Sequence, residues 1–160
     1  MSEGGVTPSE RATGSTQSEW RAMEDQEILV TVVVPAHNEE EAIGGVLDEV
    51  IDVMAPLGVT YELIVVDDGS TDGTRAACET RRAVKVISHP HNRGTGAARS
   101  TGVRAARGSS IVMIDADGTY PAGVIPSMLD DLAEFDMVIG ARDREMGSIR
   151  WLRSAAKNLI

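Results

Sequence analysis

Three sets of carboxylates punctuate this sequence: Glu39, the doublet Asp67-Asp68, and Asp115-Ala116-Asp117. Each comes just after an apolar, β-branched run, namely Ile28–Val34, Leu63–Val66 and Ile111–Ile114. Carboxylates gathered at one place repel each other unless a cation or hydrogen-bond donors compensate them. Hard oxygen ligands suit Mg2+ or Mn2+, ions that commonly complete their shell with substrate phosphates. Asp115 and Asp117 are the metal candidates, because the first ends a buried strand and the second lies in a loop free to turn inward. Asp72 reads instead as a cap for the turn that follows it.

Other spacings carry less chemistry. Asp68-Gly-Ser-Thr-Asp72-Gly73 with Glu79 has most of a calcium-loop spacing. Its third position is Ser70 and its eighth is Arg75, and the loop follows a strand, so calcium is not expected. Gly94-Thr-Gly96-Ala-Ala-Arg99 opens like a dinucleotide fingerprint but has Arg99 where the third glycine belongs. His89-Pro-His91 lacks a third ligand and reads as a pair of surface loop residues. Gly94 and Gly96, preceded by Asn92 and Arg93, open a helix. That helix start suits an anion such as a diphosphate, and equally suits close packing of helix on sheet.

The elements that must hold these residues alternate regularly. A strand over Ile28–Val34 ends at Pro35. Asn38 is the expected N-cap of a helix whose apolar residues Ile43, Val46, Leu47, Val50, Ile51 and Met54 recur at helical spacing, stopped by Gly58. The pattern repeats with a strand at 63–66, a helix at 72–82, a strand at 84–87 and a helix at 96–107. A strand at 111–114, a helix at 124–132, a fifth strand at Met137–Ile139 and a helix from Ser148 follow. Alternation of this kind predicts an α/β fold with a mostly parallel sheet and helices on both faces. Ligands of such sheets bind beyond the carboxyl ends of the strands. The loops 35–39, 67–72, 115–121 and 141–144 are therefore where function is expected.

Composition narrows the classes. The chain has 160 residues, enough for one domain, with 42% hydrophobic and 25% charged residues. Its formal charge is −10, which argues against nucleic acid as a partner. Residues 1–27 are polar and acidic and read as a disordered leader, leaving 28–160 as the folded domain. One cysteine, Cys78, excludes a disulfide framework. With no secretory signal or membrane-spanning run in view, a cytoplasmic location is expected. Arg142, Arg144, Arg150, Arg153 and Lys157 make the far end basic. The helix from Ser148 either packs on the core or lies on an anionic membrane surface.

Five segments in order carry a resemblance: Val33-Val-Pro-Ala-His-Asn-Glu39, Val65-Val-Asp-Asp-Gly-Ser-Thr-Asp-Gly-Thr74, Asn92-Arg-Gly-Thr-Gly-Ala-Ala98, Asp115-Ala-Asp117 and Val138-Ile-Gly-Ala-Arg142. Together they resemble family 2 glycosyltransferases of the GT-A fold, and most of all the dolichyl- or polyprenyl-phosphate sugar transferases. The resemblance implies a donor of the UDP- or GDP-sugar type. Pro35, Ala36, His37, Glu39, Asp67 or Asp68, Asp115, Ala116 and Arg142 would then bind the nucleotide sugar. Asp115 and Asp117 would hold Mg2+ or Mn2+ against the diphosphate, and Asp117 and Arg142 would be the catalytic pair that stabilises the leaving group. The acceptor implied is a polyprenyl or dolichyl phosphate at the cytoplasmic membrane face, glycosylated with inversion. His37 stands where the family commonly has Tyr, and Thr119 where lipid-phosphate transferases often have Gln. The family's acceptor-side motifs would lie beyond position 160, so the chain is expected to be a truncated, donor-binding part. The alternative expectation is a domain that binds nucleotide sugar and metal without turnover.

Overall fold

The computed structural model describes residues 28–141. The leader, Arg142 and the helix expected from Ser148 lie outside the described residues. Of these, residues 28–123 belong to one compact unit and residues 124–141 to another.

The first unit is a four-stranded parallel sheet. Its strands are β1 (Val30–Ala36), β2 (Tyr61–Asp67), β3 (Val84–Ser88) and β4 (Ser110–Met113), in the order β3-β2-β1-β4. Helix α1 (Ile43–Met54) joins β1 to β2, α2 (Thr74–Glu79) joins β2 to β3, and α3 (Thr95–Ala105) carries the chain back from β3 to β4. Right-handed crossovers place α1 and α2 on one face and α3 on the other. In keeping with this, α1 touches α2, and α3 packs on β1 and β2.

β1 is buried along its whole length, as its β-branched run demands. Val32, Val33 and Val34 have no exposed surface, and each contributes about 1.5–3 kcal/mol of hydrophobic stabilisation. The strand runs through Pro35 rather than stopping there. Val33 O accepts a hydrogen bond from Ile114 N–H, so residues of that parity direct their backbone groups toward β4. Pro35 shares the parity but lies beyond the last β4 residue, so its missing N–H breaks no ladder bond.

Helix α1 starts later than expected. Its N-cap is Ala42, with no side-chain cap, and Glu39 O accepts from Ala42 N–H and Ile43 N–H instead. Ile43, Val46, Leu47, Val50 and Met54 form its buried stripe, and Gly58, at φ 66°, follows the closing 3-10 turn. The second unit contains α4 (Ile125–Asp131). The strand expected at Met137–Ile139 does not form. Those residues have no ladder partner among the described residues, and Met137 and Ile139 are 73% and 74% exposed.

α3 lies close on the sheet because Gly102 faces β1. A Cβ there would overlap Val33 Cγ1 and sit 3.2 Å from Val33 Cγ2. Gly102→Ala is expected to cost about 1–3 kcal/mol through overpacking, read as a lower urea midpoint. A neutral effect would mean that α3 has room to move off the sheet.

Candidate donor-binding site

All four strands point the same way, so their carboxyl ends share one edge. There a cleft of about 350 Å³ opens, within the range of small-molecule sites. It spans the gap between β1 and β4, where the sheet order reverses, the expected ligand position in an open α/β sheet. One wall is Pro35, Ala36, His37 and Glu39. Asp68 and the start of α3, with Asn92, Gly94, Thr95 and Ala98, form another, and Asp115, Ala116 and Asp117 close the β4 side. Eight of the residues singled out from sequence thus come together. Asp67 does not line the cleft. It is buried, and its Oδ1 accepts from Ser70 N–H at 3.0 Å, which tightens the turn after β2. Arg142 falls outside the described residues.

The wall after β1 is held by side chains that sequence reasoning assigned to helix capping. Asn38 adopts a left-handed backbone, φ 56°, which Asn tolerates better than most residues. Its Oδ1 accepts from Thr71 N–H at 2.8 Å, and its own N–H donates to Ser70 Oγ at 3.0 Å. Glu39 N–H donates to Thr74 Oγ1 at 2.7 Å. Asp72 accepts from Thr74 N–H and Glu40 N–H, and its carboxyl lies below the usual value chiefly through the Thr74 hydroxyl. The Asp68–Gly73 loop is therefore tied to the loop after β1 by these hydrogen bonds, and Asp72 accepts from Thr74 at the start of α2, whose N-cap is Gly73 with no side-chain cap.

His89 is the residue that sequence reasoning misplaced. It is buried, not a surface loop residue. Its Nδ1–H donates to Asp68 Oδ1 at 2.6 Å, and its Nε2 shares a hydrogen bond with Thr101 Oγ1 at 2.9 Å. Arg93 N–H also reaches Asp68, 3.0 and 3.1 Å from its two oxygens. Burial pushes the Asp68 carboxyl up, but the His89 hydrogen bond and the Arg93 and Gly94 backbone donors outweigh it and hold the group below its usual range. Parallel register is the signal that would have found this pair. Asp67 lies opposite Ser88, so Asp68 and His89 are the next residues along. Gly69, at φ 68°, lets the turn close on that segment, since a Cβ there would lie 2.6 Å from Asn92 N.

On the β4 side, Asp115 Oδ1 accepts from Arg99 Nη2 at 2.8 Å. Asp117 Oδ1 accepts from Thr119 N–H at 2.9 Å and from its hydroxyl at 2.8 Å. Among the described residues no group of three or more His, Cys, Asp or Glu side chains is arranged to hold a metal. The five carboxylates at the sheet edge therefore do not form one cluster. The pair Asp115 and Asp117 still fits a hard divalent ion, which needs only one or two carboxylates when phosphates and water complete its shell. On the opposite wall, His37 Nε2 accepts from Asn38 Nδ2 at 3.3 Å, leaving the ring proton on Nδ1. That Nδ1 is buried without a hydrogen-bond partner among the described residues. Such a group is uncommon in a native structure and points to a missing partner.

Comparison with known proteins agrees with this geometry. The profile of Glycosyl transferase family 2 matches residues 31–158, and the chain belongs to that family. It is 33% identical over 138 residues to the undecaprenyl-phosphate 4-deoxy-4-formamido-L-arabinose transferase of Aeromonas hydrophila, covering 82% of this chain and 42% of that protein. It is 34% identical over 124 residues to the dodecaprenyl-phosphate galacturonate synthase of Rhizobium johnstonii, covering 73% and 37%. The chain thus spans about two fifths of the length of these relatives. The mannosyltransferase PcManGT of Pyrobaculum calidifontis, solved with GDP-Man and Mn2+, superposes with a TM-score of 0.58 at 30% identity, over 74% of this chain and 40% of that one. The fold is GT-A, as the sequence resemblance implied.

The Asp68 carboxyl ties stability to pH. Its folded pKa lies below the ordinary 3.8, so its contribution is complete above that value and is lost as pH falls through the lowered one. Asp68→Asn is expected to cost about 2 kcal/mol at neutral pH, since hydrogen bonds to a charged group are lost. In urea unfolding the gap between wild type and variant should close as the pH is taken down through the lowered value. A gap that persists unchanged in acid would contradict the role given to the ionised carboxylate.

Proposed function

We propose that this chain holds the donor of a sugar transfer, a nucleoside diphosphate sugar of the UDP or GDP type, in the cleft between β1 and β4. The observation that carries the reading is the pairing of Asp115 and Asp117 with the Pro35–Glu39 wall in one cleft at the switch point of the sheet. Pro35, Ala36, His37, Glu39 and Asp68 take the base and ribose, and the orphaned His37 Nδ1 supplies one donor for a base or ribose acceptor atom. Asp115 and Asp117 hold Mg2+ or Mn2+ against the diphosphate. The ion supplies charge neutralisation for the departing nucleoside diphosphate when bound. Arg142 adds a fixed positive charge to the same leaving group.

The acceptor is a polyprenyl phosphate, the lipid class that the relatives' names carry. Its phosphate oxygen attacks the anomeric carbon from the face opposite the diphosphate, the bond from that carbon to the diphosphate oxygen breaks, and the configuration inverts. A phosphate monoester is already anionic near neutral pH, so it needs no general base. The reaction takes place at the membrane surface where the lipid headgroup stands. No helix among the described residues is long and apolar enough to cross a membrane. A second reading is donor binding without turnover by these 160 residues. The observation favouring it is that they match only 37–42% of the length of the named transferases.

Calorimetry with UDP, GDP and their sugar conjugates tests the proposal. Binding is expected for one base with Mn2+, and is expected to fall about tenfold or more in Asp115→Ala and in Asp117→Ala, as loss of a metal ligand requires. Absence of binding with and without metal would overturn it. Transfer to a short polyprenyl phosphate then separates the two readings.

A further inference from the structure

Arg99 lies in α3, and its guanidinium crosses to the β4 side to pair with Asp115 at 2.8 Å. Their side chains are 44% and 36% exposed. We propose that Arg99 is a counter-cation that occupies Asp115 while the donor site is empty and passes to the donor diphosphate when metal and donor arrive. This rests on the donor-site reading and adds a binding order to it, in which the ion loads with the nucleotide rather than alone.

The argument is electrostatic. A guanidinium at hydrogen-bond distance from Asp115 opposes a divalent cation at the same carboxylate, because the two positive charges compete for one oxygen. The pair is weak enough to release, since half-exposed single-contact ion pairs are screened by water. Once released, the arginine has a better partner close by. A diphosphate offers several anionic oxygens to the planar fork of donors that guanidinium carries. Asp115 lines the cleft, as do Gly94, Thr95 and Ala98 of the segment that leads into Arg99. Arg99 itself is not part of the cleft lining, so the shift brings in a residue from its border. No other hydrogen bond or ion pair holds the Arg99 guanidinium among the described residues.

A purely structural role makes the opposite prediction. If Arg99 orients Asp115 for the metal, its removal weakens metal binding. If it competes, its removal strengthens binding of the metal alone. Mn2+ binding to the 160-residue chain can be read from the free-ion electron paramagnetic resonance signal, without any turnover. Without nucleotide, Arg99→Met is expected to bind Mn2+ about fivefold more tightly than wild type, the scale of an exposed ion pair. With Mn2+ present, the same variant is expected to bind UDP or GDP about tenfold more weakly, and Arg99→Lys to recover part of that loss. The double variant Arg99→Met with Asp115→Asn should lose the gain in Mn2+ affinity, which ties the effect to that carboxylate. Unchanged or weaker Mn2+ binding by Arg99→Met overturns the inference while leaving the donor site intact, provided wild type binds nucleotide with Mn2+. If wild type binds no nucleotide, both readings fall together. The Arg99 side chain is exposed, so the variant is expected to fold, and its urea midpoint checks this.

Discussion

The cleft depends on one buried charge. Asp68 follows the last residue of β2, with almost no contact with solvent, and is bound by a ring nitrogen that follows β3 and by the backbone that leads into α3. Removing a carboxylate from water is costly unless charge-assisted hydrogen bonds replace the lost hydration. Here they do, and the donors come from one segment, His89–Gly94, which is drawn toward the end of β2. Thr101 closes the arrangement from within α3 by meeting the other ring nitrogen. One group thus fixes where β2 ends, how β3 leaves the sheet and where α3 begins, and two of these three places border the cleft.

The β1 wall is built differently. It relies on exposed and half-buried contacts, in which Asn38, Glu39 and Glu40 after β1 meet Ser70, Thr71, Asp72, Gly73 and Thr74 after β2. On the β4 side Asp115 pairs with the half-exposed Arg99, and Asp117 accepts from Thr119. These differences suit the chemistry proposed. A base and ribose need a preformed surface, while a diphosphate arriving with a metal needs carboxylates and an arginine that can change partners.

Much of this was legible in the sequence, and the reasons differ by element. β1 and most of β2 are buried and announce themselves as β-branched runs. β4 was found by the same signal, although Ile111 and Met113 are exposed and the strand before Asp115 is not the buried one expected. The alternation with helices fixed a parallel sheet. From there the carboxyl-end loops followed, and with them eight of the site residues. Failures came where tertiary contacts outweigh local preference. Asn38 has the residue type of a helix cap, yet its side chain serves the neighbouring loop. Pro35 looks like a strand end, and only the shortness of β4 lets the strand run through it. Met137–Ile139 has the composition of a strand, but composition does not supply a partner. His89 was read as exposed because a single sequence shows no register, and only register reveals that it stands beside Asp68.

The central claim is that a nucleoside diphosphate and its metal occupy the cleft between β1 and β4, beside Asp115 and Asp117. Nuclear magnetic resonance of the nitrogen-labelled chain with GDP or UDP and substoichiometric Mn2+ tests this most directly. The account predicts paramagnetic broadening centred on the amides of Asp115–Thr119 and reaching Gly94–Ala98, with amides near Thr80 and the start of β3 left sharp. Broadening centred elsewhere, or none with either nucleotide, would contradict it.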